Sequence, residues 1–389
     1  MSALSFLFWV ILGTIFYTYV GYGLLLWLLR SFKKKKNPPL QKELPKVTLL
    51  IASYNEAAIL EEKVQNTLLL EYPKEKLSVL IVTDGSTDNS GSILKKYPEV
   101  KVLHQPERFG KTAAINRAMQ EVDSEIVIFS DANTTLNKTS IQGLVSHFSN
   151  EKVGAVAGEK KVAYESGVGS AEGWYWRYES FMKGLDASFY TVVGAAGELF
   201  AMRTSLFSPL QEDTILDDFV LSMKVCLQGF IIAYEPAAFA TEAPSASLGD
   251  EKKRKIRIAT GAFQSLKRLS FLQIFSKPLL AFQFVSRRWL RWVICPVGLP
   301  LLFIINILLA YYSIHSIYAW LFIPHLFFYL FALVGWVFMK RDKVIAVATI
   351  PFYFSFMNYC IVAGWIRFLQ GKETVLWAKA ERKDSHSSK

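Results

Sequence analysis

Cysteine and histidine are both scarce in this 389-residue chain. The three cysteines are Cys226, Cys295 and Cys360, and such an odd, scattered set supplies neither a disulfide framework nor a zinc site. The five histidines show no HExxH or HxxxH spacing, which argues against a histidine-based metal site. Aromatic residues, in contrast, make up 14% of the chain, and this content excludes a disordered tail or a collagen-like fibre.

Charged side chains are absent from a long stretch at the N-terminus. Residues 4–29 contain none, and 26 helical residues measure about 39 Å, more than the roughly 30 Å of a bilayer's hydrocarbon core. A secretory signal peptide is the alternative, but its positive charge precedes the apolar run, whereas here Arg30 and the lysines at 33–36 follow it. We therefore expect a transmembrane anchor over residues 1–30 and a cytoplasmic location for the chain that follows.

Two further stretches near the C-terminus lack Asp, Glu, Lys and Arg. Residues 292–339 are long enough for two spans with a turn near Ser313–Ser316, and residues 344–366 for a third, which predicts about three spans over 292–369. Three spans would place the basic residues of the polar tail at 370–389 outside the cell, against the positive-inside rule. Either one segment does not cross or the tail is an exception.

Basic residues outnumber acidic ones by 44 to 33, giving a net charge of +11. Much of the surplus flanks the apolar segments, in a basic linker at 31–45 and in the segment 251–291, where basic residues alternate with Leu, Phe and Trp. This composition indicates amphipathic helices at a membrane surface, with buried amphipathic helices as the alternative. Anionic headgroups account for these charges, so we expect membrane lipids and no nucleic acid as partners.

Residues 46–250 alternate short β-rich runs with helical patterns. Strands are predicted at Val47–Ala52, Leu77–Thr83, Lys101–Leu103 and Ile126–Ser130, and helices at Ala57–Glu71, Asn89–Tyr97 and Lys111–Val122. This alternation predicts an α/β domain with a parallel sheet covered by helices on both faces. Polar loops at 54–56, 84–88 and 131–133 follow three of the strands, so they should converge on one crevice.

Asp131 and Asn133 present oxygen atoms two residues apart after a strand. Such a pair can hold a divalent cation, Mg²⁺ or Mn²⁺, that also binds substrate phosphates, although Asp and Asn are also common turn residues. The loop around Asp84 is equally compatible with a turn and a helix cap. Lys111 starts a helix after Gly110 and could approach a diphosphate, but Gln105 excludes a Walker A motif.

Two adjacent carboxylates, Asp217 and Asp218, open an apolar helical run. They could complement the helix dipole, or one of them could act as a general base beside a substrate. The basic run at 252–257, which includes Arg254 and Arg257, would suit a leaving diphosphate or a solvated helix face. The aromatic run 174–178 fits an interfacial belt, which we favour, or a surface that stacks on sugar rings.

Together and in this order, these segments resemble the inverting family 2 glycosyltransferases, and most closely the membrane-embedded branch with the cellulose, hyaluronan and poly-N-acetylglucosamine synthases. The resemblance covers about Val47 to Gln264. It rests on "IASYNE" at 51–56, "VTDGSTDNS" at 82–90, "FSDANT" at 129–134, "GAAGELFAMR" at 194–203 and "LDD" at 216–218. It implies a GT-A (Rossmann-like) cytoplasmic domain flanked by transmembrane helices.

The resemblance also implies roles for individual residues. Asp84 would contact the nucleoside part of the donor, and Asp131 with Asn133 would stand at the family's Asp-x-Asp metal motif. Glu198 would line the acceptor side. Asp218, beside Asp217, aligns with the family's Thr-Glu-Asp motif and would be the catalytic base.

The chain departs from the family pattern at its Gln-x-x-Arg-Trp motif. Arg257 matches the arginine that would meet the diphosphate, but Arg254 replaces the glutamine and Ile258 replaces the tryptophan that would stack on the acceptor sugar. Asn133 is a second departure, because it replaces a carboxylate of the metal motif. The first departure weakens the case for a processive polymerase, and the second makes the metal site less secure.

These observations predict a multi-pass glycosyltransferase of the inner (plasma) membrane with a nucleotide-sugar donor, most simply a UDP-sugar, and a lipid-linked or glycan acceptor. The alternative is a processive synthase that also translocates its polymer. A transporter would need ionisable residues in its spans, and residues 292–339 contain only His315 and His325. An inactive scaffold is disfavoured because Asp84, Asp131 and Asp218 are all retained.

Overall fold

The computed structural model describes residues 3–31, 43–163, 168–312, 316–341 and 343–372. The lysine run at 33–36, most of the turn predicted near Ser313–Ser316 and the polar tail after residue 372 lie outside the described residues. The predictions made for these segments therefore stay predictions.

The described strands form one mixed sheet. They are β1 (Val47–Ser53), β2 (Leu77–Asp84), β3 (Val100–Gln105), β4 (Ile126–Asp131), β5 (Thr134–Leu136), β6 (Val153–Val162), β7 (Leu199–Arg203) and β8 (Ile231–Glu242). Their order in the sheet is β3-β2-β1-β4-β7-β6-β8-β5. The four predicted strands, β1 to β4, are confirmed and pair in parallel, whereas β7 runs antiparallel to both β4 and β6. The sheet is therefore mixed rather than wholly parallel.

Helices cover the sheet and continue into apolar segments. They are α1 (Ala3–Arg30), α2 (Ala57–Leu68), α3 (Ser90–Leu94), α4 (Lys111–Ala118), α5 (Ser140–Ser146), α6 (Val168–Phe189), α7 (Asp217–Leu227), α8 (Leu248–Arg268), α9 (Phe271–Phe275), α10 (Pro278–Tyr312), α11 (Ile317–Met339) and α12 (Ala346–Leu369). Helices α2 to α4 begin close to where the sequence predicts them and end earlier.

The parallel strands are apolar on both faces because helices cover both. Leu50 and Leu80 face the core formed with α4 and α7, whereas Leu49, Ile51 and Ile81 face the core formed with α2, α3 and α5. Successive strand residues point to opposite faces, so a continuous apolar run is what a doubly covered strand requires.

The loops after β1 and β2 are fixed by local backbone geometry. Asn55 adopts a φ of 53° and its side-chain oxygen accepts the Thr87 N–H at 2.8 Å. Gly85 has a φ of 65°, and a Cβ there would lie 2.6 Å from the Cβ of Arg108. The Asn55–Thr87 bond holds the two loops together at the carboxyl ends of the parallel strands, where ligands bind in sheets of this kind.

Four helices, α1, α10, α11 and α12, are long and apolar enough to cross a membrane. The charge-free run that starts at residue 292 begins inside α10, which has 35 residues and starts at Pro278. At about 52 Å it exceeds the hydrocarbon core, so its N-terminal part need not lie in lipid. Helix α8 packs closely on α12, because a Cβ at Gly364 would lie 2.5 Å from the Cβ of Ala259.

The segment 251–291 is less lipid-facing than its composition indicates. On α10, Arg287 and Arg291 are buried and pair with Glu179 of α6, and Arg287 also pairs with Asp186 at 3.2 Å. Asp186 in turn accepts the hydroxyl of Tyr22 of α1 at 2.6 Å. For these two arginines the burial fits the alternative of a buried amphipathic helix, because both contribute to a buried network that joins α1, α6 and α10. The interfacial location of the segment as a whole stays a prediction. Helix α9 does expose apolar side chains.

Candidate active site

One cavity of about 590 Å³ opens at the carboxyl ends of β1 and β4. Its walls come from the loops after these strands, from α6, α7 and α8, and from the N-terminal part of α10. The volume lies within the usual range for small-molecule sites, roughly 300–1,000 Å³. The sheet domain and a candidate membrane helix therefore share one pocket.

Lys111 connects two of the predicted carboxylates. It is the first residue of α4, and its Nζ lies 2.7 Å from Asp131 Oδ1 at the end of β4 and 3.7 Å from Asp217 Oδ2 at the start of α7. Burial alone would lower the pKa of Lys111, but Asp131, Asp217 and Asp218 together raise it above its ordinary value. Burial raises the pKa of Asp131 despite this lysine. Lys111 stays a cation in the pocket.

Asp218 lies in the same cavity but makes no ion pair among the described residues. Its Oδ1 accepts the N–H of Phe219 at 2.7 Å, and its Oδ2 would lie 3.2 Å from a Cβ built on Gly197. Burial, with the adjacent Asp217 charge, raises the pKa of Asp218 to about 7. A carboxylate with this pKa is suited to accept a proton near neutral pH.

Arg257 of α8 lines the cavity. Its Nε is buried and has no hydrogen-bond partner among the described residues. Burial lowers the pKa of Arg257, while the nearby charges of Asp217, Asp131 and Asp218 act in the opposite direction. An orphaned guanidinium donor facing a pocket is suited to bind an anionic ligand.

Glu198 and Asn133 belong to a buried network that the sequence did not reveal. Lys160 of β6 lies between Glu198 and Glu242 and contacts both carboxylates. Asn133 Nδ2 donates to Glu242 Oε1 at 3.1 Å. Burial would raise the pKa of Glu198, but Lys160 lowers it to about 2. Glu198 therefore remains ionised and fixed beside the cavity.

Arg254 lines the cavity, but acidic side chains surround it. It pairs with Glu172, with Glu251 at 3.1 Å and with Glu242 at 3.8 Å. Burial would lower the pKa of Arg254, and these carboxylates raise it instead. Arg254 thus has less capacity than Arg257 to neutralise a bound anion.

Asp84 is the predicted site residue that the structure keeps away from the cavity lining. Only 1% of its surface is exposed, and its two oxygens accept the N–H groups of Phe109 at 3.2 Å and Gly110 at 2.6 Å. These bonds fix the loop that leads into α4. In this arrangement Asp84 positions Lys111 through the backbone, and its predicted contact with a nucleoside stays a prediction.

Several cavity residues were not predicted. Lys183 of α6 and Arg288 and Trp292 of α10 all line the pocket. Tyr175 and Trp176 line it as well, which favours the ligand-contacting alternative for the aromatic run over the interfacial belt. A signal was present in the i, i+4 spacing of Arg288 and Trp292, which places both on one helix face.

The oxygen donors fit a cation that shares its ligands with a substrate. The described residues contain no group of three or more His, Cys, Asp or Glu side chains suited to hold a metal ion. Asp131 and Asn133 nevertheless offer a carboxylate and an amide oxygen, and Mg²⁺-type ions typically take few protein ligands and complete their shell with water and phosphate oxygens. The residues thus suit such an ion only together with a phosphorylated ligand.

Residues 48–210 match the sequence family described as "Glycosyl transferase family 2". Together with the fold and the cavity, this match supports the assignment of residues 48–210 to that family.

Known relatives agree with this assignment. The poly-beta-1,6-N-acetyl-D-glucosamine synthase of Staphylococcus aureus (strain COL) is 29% identical over 266 residues, which is 64% of this chain and 63% of the synthase. A probable glycosyltransferase YdaM of Bacillus subtilis (strain 168) is 29% identical over 220 residues, 52% of this chain and 51% of its own length. The chain thus spans between half and two thirds of these relatives. The predicted resemblance to the poly-N-acetylglucosamine synthases is confirmed.

A solved structure establishes the fold. The mannosyltransferase PcManGT from Pyrobaculum calidifontis, in complex with GDP-Man and Mn²⁺, superposes with a TM-score of 0.72 at 20% identity, covering 95% of this chain and 100% of that one. The predicted GT-A fold is confirmed, and the mixed sheet with its antiparallel β7 is the form that this fold takes here.

Proposed function

We propose that this chain is a membrane-bound inverting glycosyltransferase that moves a sugar from a nucleotide-sugar to a lipid-linked or glycan acceptor in cell-envelope or exopolysaccharide synthesis. The observation that carries the proposal is the convergence of Asp218, Lys111 and Arg257 on one cavity at the carboxyl ends of the parallel strands. A proton acceptor and two cations are what sugar transfer from a diphosphate requires.

Asp218 would take the proton of the acceptor hydroxyl. The oxygen would then attack the anomeric carbon from the side opposite the diphosphate, forming the new glycosidic bond and inverting the configuration. The bond between the anomeric carbon and the phosphate oxygen breaks, and the nucleoside diphosphate leaves with the electron pair. Lys111 and Arg257 would stabilise its developing charge.

Asp131 and Asn133 would hold a divalent cation in this reaction, and such an ion would supply further neutralisation of the leaving diphosphate. The Mn²⁺ reported for the mannosyltransferase of the same fold supports this assignment. Asp217 would keep Lys111 in place from the other side.

A cytoplasmic active site at the plasma membrane is part of the proposal. The basic residues at the end of α1 and after it, Arg30 and the lysines at 33–36, support this orientation through the positive-inside rule. It also places the cavity where nucleotide-sugars are present.

The test is a donor screen with the full-length protein in detergent. Nucleoside-diphosphate release would be measured for a set of UDP- and GDP-sugars, with Mg²⁺, with Mn²⁺ and with a chelator. We expect release with at least one donor and its loss on chelation. Absence of release and of nucleotide binding with every donor would exclude the proposal.

A processive synthase is the second candidate. The similarity to the poly-N-acetylglucosamine synthase favours it, whereas Ile258, at the position of the expected tryptophan, favours single addition. A labelled donor followed by gel analysis separates the two, because only a processive enzyme produces a ladder of long products.

A further inference from the structure

Cations in the cavity differ in whether a carboxylate neutralises them. Lys111 and Arg254 both pair with acidic side chains. Three other cations that line the cavity make no ion pair among the described residues, namely Lys183, Arg257 and Arg288. Arg257 belongs with the proposed donor diphosphate, since the charges that act on it are those of Asp217, Asp131 and Asp218. Lys183 and Arg288 remain without a role.

Lys183 is the most unusual of the three. Its side chain is only 4% exposed, yet its Nζ has no hydrogen-bond partner among the described residues. The rings of Trp176 and Tyr234 lie near it, at 5.7 Å and 5.8 Å from Nζ. Burial lowers the pKa of the Lys183 amine, while Glu159, Glu198 and Glu179 act in the opposite direction. A buried amine without a hydrogen-bonding partner is costly, so its retention at a cavity wall indicates that an anionic ligand supplies the partner and keeps the amine protonated.

The carboxylates around Lys183 are occupied by other donors. They are Glu159, Glu179 and Glu198. Glu179 binds Arg287 at 2.7 Å, Glu198 binds Lys160, and Glu159 accepts the hydroxyl of Tyr234. None of the three forms an ion pair with Lys183 in the described part of the chain.

Arg288 of α10 lines the same cavity as Lys183. Its Nε donates to the Val193 carbonyl at 2.9 Å, and its guanidinium lies over the rings of Phe219, at 5.7 Å, and Trp292, at 5.6 Å. The carbonyl bond uses one of five N–H donors. Donors remain for an anion, and the two aromatic rings lie beside the guanidinium.

We infer that Lys183 and Arg288 form a second anion subsite, which binds a phosphate group carried by the acceptor. The inference rests on the proposed function and adds the chemical class of its acceptor. Two cations suit a phosphate, which carries more than one negative charge and several acceptor oxygens. Arg257 remains with the donor, so the cavity binds two phosphorylated molecules side by side.

The subsite is close to the proposed base and to the membrane. Arg288 lies over Phe219, the residue that follows Asp218, so a phosphate held there brings its neighbouring atoms towards that carboxylate. Arg288 also belongs to α10, one of the helices long and apolar enough to cross a membrane. A phosphate at this position can be attached to a lipid or to a soluble glycan.

Binding to the full-length protein in a neutral detergent tests the subsite without requiring turnover. The probes are dodecyl phosphate and inorganic phosphate, with dodecanol as the neutral control, measured by isothermal titration calorimetry. Lys183→Met and Arg288→Gln should each weaken binding of the phosphate probe by roughly tenfold or more. Lys253→Met is the matched control, because Lys253 lines the same cavity but is exposed and pairs with Asp250.

Binding of dodecyl phosphate alone assigns the subsite to a lipid phosphate, and binding of both probes assigns it to phosphate itself. Wild-type affinity in both variants, or no phosphate binding by the wild type, overturns the inference. Lys183→Met should also keep or raise the melting temperature, whereas a structural lysine would lower it. If Lys183→Met does not fold, Arg288→Gln decides the question.

The outcome is separable from that of the proposed function. Arg257→Gln should weaken binding of a nucleoside diphosphate and leave dodecyl phosphate binding unchanged. A phosphate site that depends on Lys183 in a protein without transferase activity would refute the proposed function and support the subsite. Transferase activity in a protein whose phosphate binding does not depend on Lys183 would support the proposed function and refute the subsite.

Discussion

Asp217 and Asp218 are neighbours in the sequence with different surroundings. Asp217 lies 3.7 Å from Lys111, whereas Asp218 makes no ion pair in the described part of the chain. The two carboxylates repel one another, and this repulsion separates their roles: one holds a cation and the other is available to accept a proton.

Replacing Asp218 by Asn should remove the proton acceptor and little else. The two side chains have nearly the same shape, so we expect nucleotide binding to be retained and turnover to fall by roughly 10²–10⁴-fold. Calorimetric titration with the nucleoside diphosphate and an assay of its release measure the two quantities. Wild-type-like turnover would remove Asp218 from the base role.

The pKa of about 7 at Asp218 predicts how activity depends on pH. Below this value the carboxyl is protonated and cannot act as a base, so kcat/KM should fall about tenfold per pH unit on the acid side and level off on the alkaline side. Asp217→Asn removes the like charge and should shift this limb to lower pH. The apparent value belongs to the pair. A profile without an acid limb near neutrality contradicts the assignment.

Lys160 provides a stability test that does not depend on function. Lys160→Met leaves Glu198 buried without its cation and leaves Glu242 with only Arg254, at 3.8 Å, which should lower the free energy of unfolding by roughly 3–5 kcal/mol. Lys101→Met is the control, because Lys101 pairs with Glu121 at the surface, where such a bond contributes about 1 kcal/mol or less. Urea denaturation of both variants should show this difference, and equal midpoints would contradict it.

At the scale of elements, two apolar helices pack at a glycine. A Cβ at Gly335 of α11 would lie 2.2 Å from the carbonyl oxygen of Ala348 in α12. Only a residue without a side chain allows the backbones of these helices to approach so closely.

Gly335→Ala should therefore force α11 and α12 apart and destabilise the protein by roughly 1–3 kcal/mol. Gly13→Ala in α1 is the matched control, since a Cβ there meets nothing within 4 Å. Thermal unfolding in detergent compares the two variants. A Gly335→Ala protein as stable as Gly13→Ala would show that the two helices separate at little cost.

The sequence predicts some elements better than others, for physical reasons. Strands β1 to β4 were predictable because burial on both faces requires continuous apolar runs. Strands β6 and β8 lack this signal, because glycines interrupt β6 and β8 is partly exposed. The start of α10 was not predicted, because the sequence does not show that Glu179 pairs with Arg287 and Arg291. Without that partner, the two arginines are typical of surface charges.

The same distinction applies to the candidate site. Asp131, Asp217, Asp218 and Lys111 follow strand ends or start helices, so their convergence follows from the α/β pattern. Lys160 and Glu242, or Lys183 and Arg288, come together only through the tertiary fold, because 82 and 105 positions separate the members of the two pairs. The position of Asp84 was not predictable, because the sequence does not show that its carboxylate accepts backbone N–H groups behind the pocket.

At the scale of the whole molecule, the cavity belongs to two parts of the protein at once. Asp131, Lys111 and Asp218 come from the sheet domain, while Arg288 and Trp292 come from α10. The distance of Arg288 and Trp292 from the residues of the sheet domain depends on the orientation of α10 relative to that domain. The tilt of a membrane helix in turn follows the hydrophobic thickness of the bilayer around it.

The length of the surrounding acyl chains should therefore regulate this protein. In vesicles of short-chain or long-chain phosphatidylcholine, a change in the tilt of α10 would move Arg288 and Trp292, on the side proposed to bind the acceptor. Lys111, on the side proposed to bind the donor, would stay in place. The KM for the acceptor should vary with chain length while that for the nucleotide-sugar stays constant, and parallel changes in both would contradict this. The thickness of the membrane would then set how readily the acceptor enters the proposed transfer reaction.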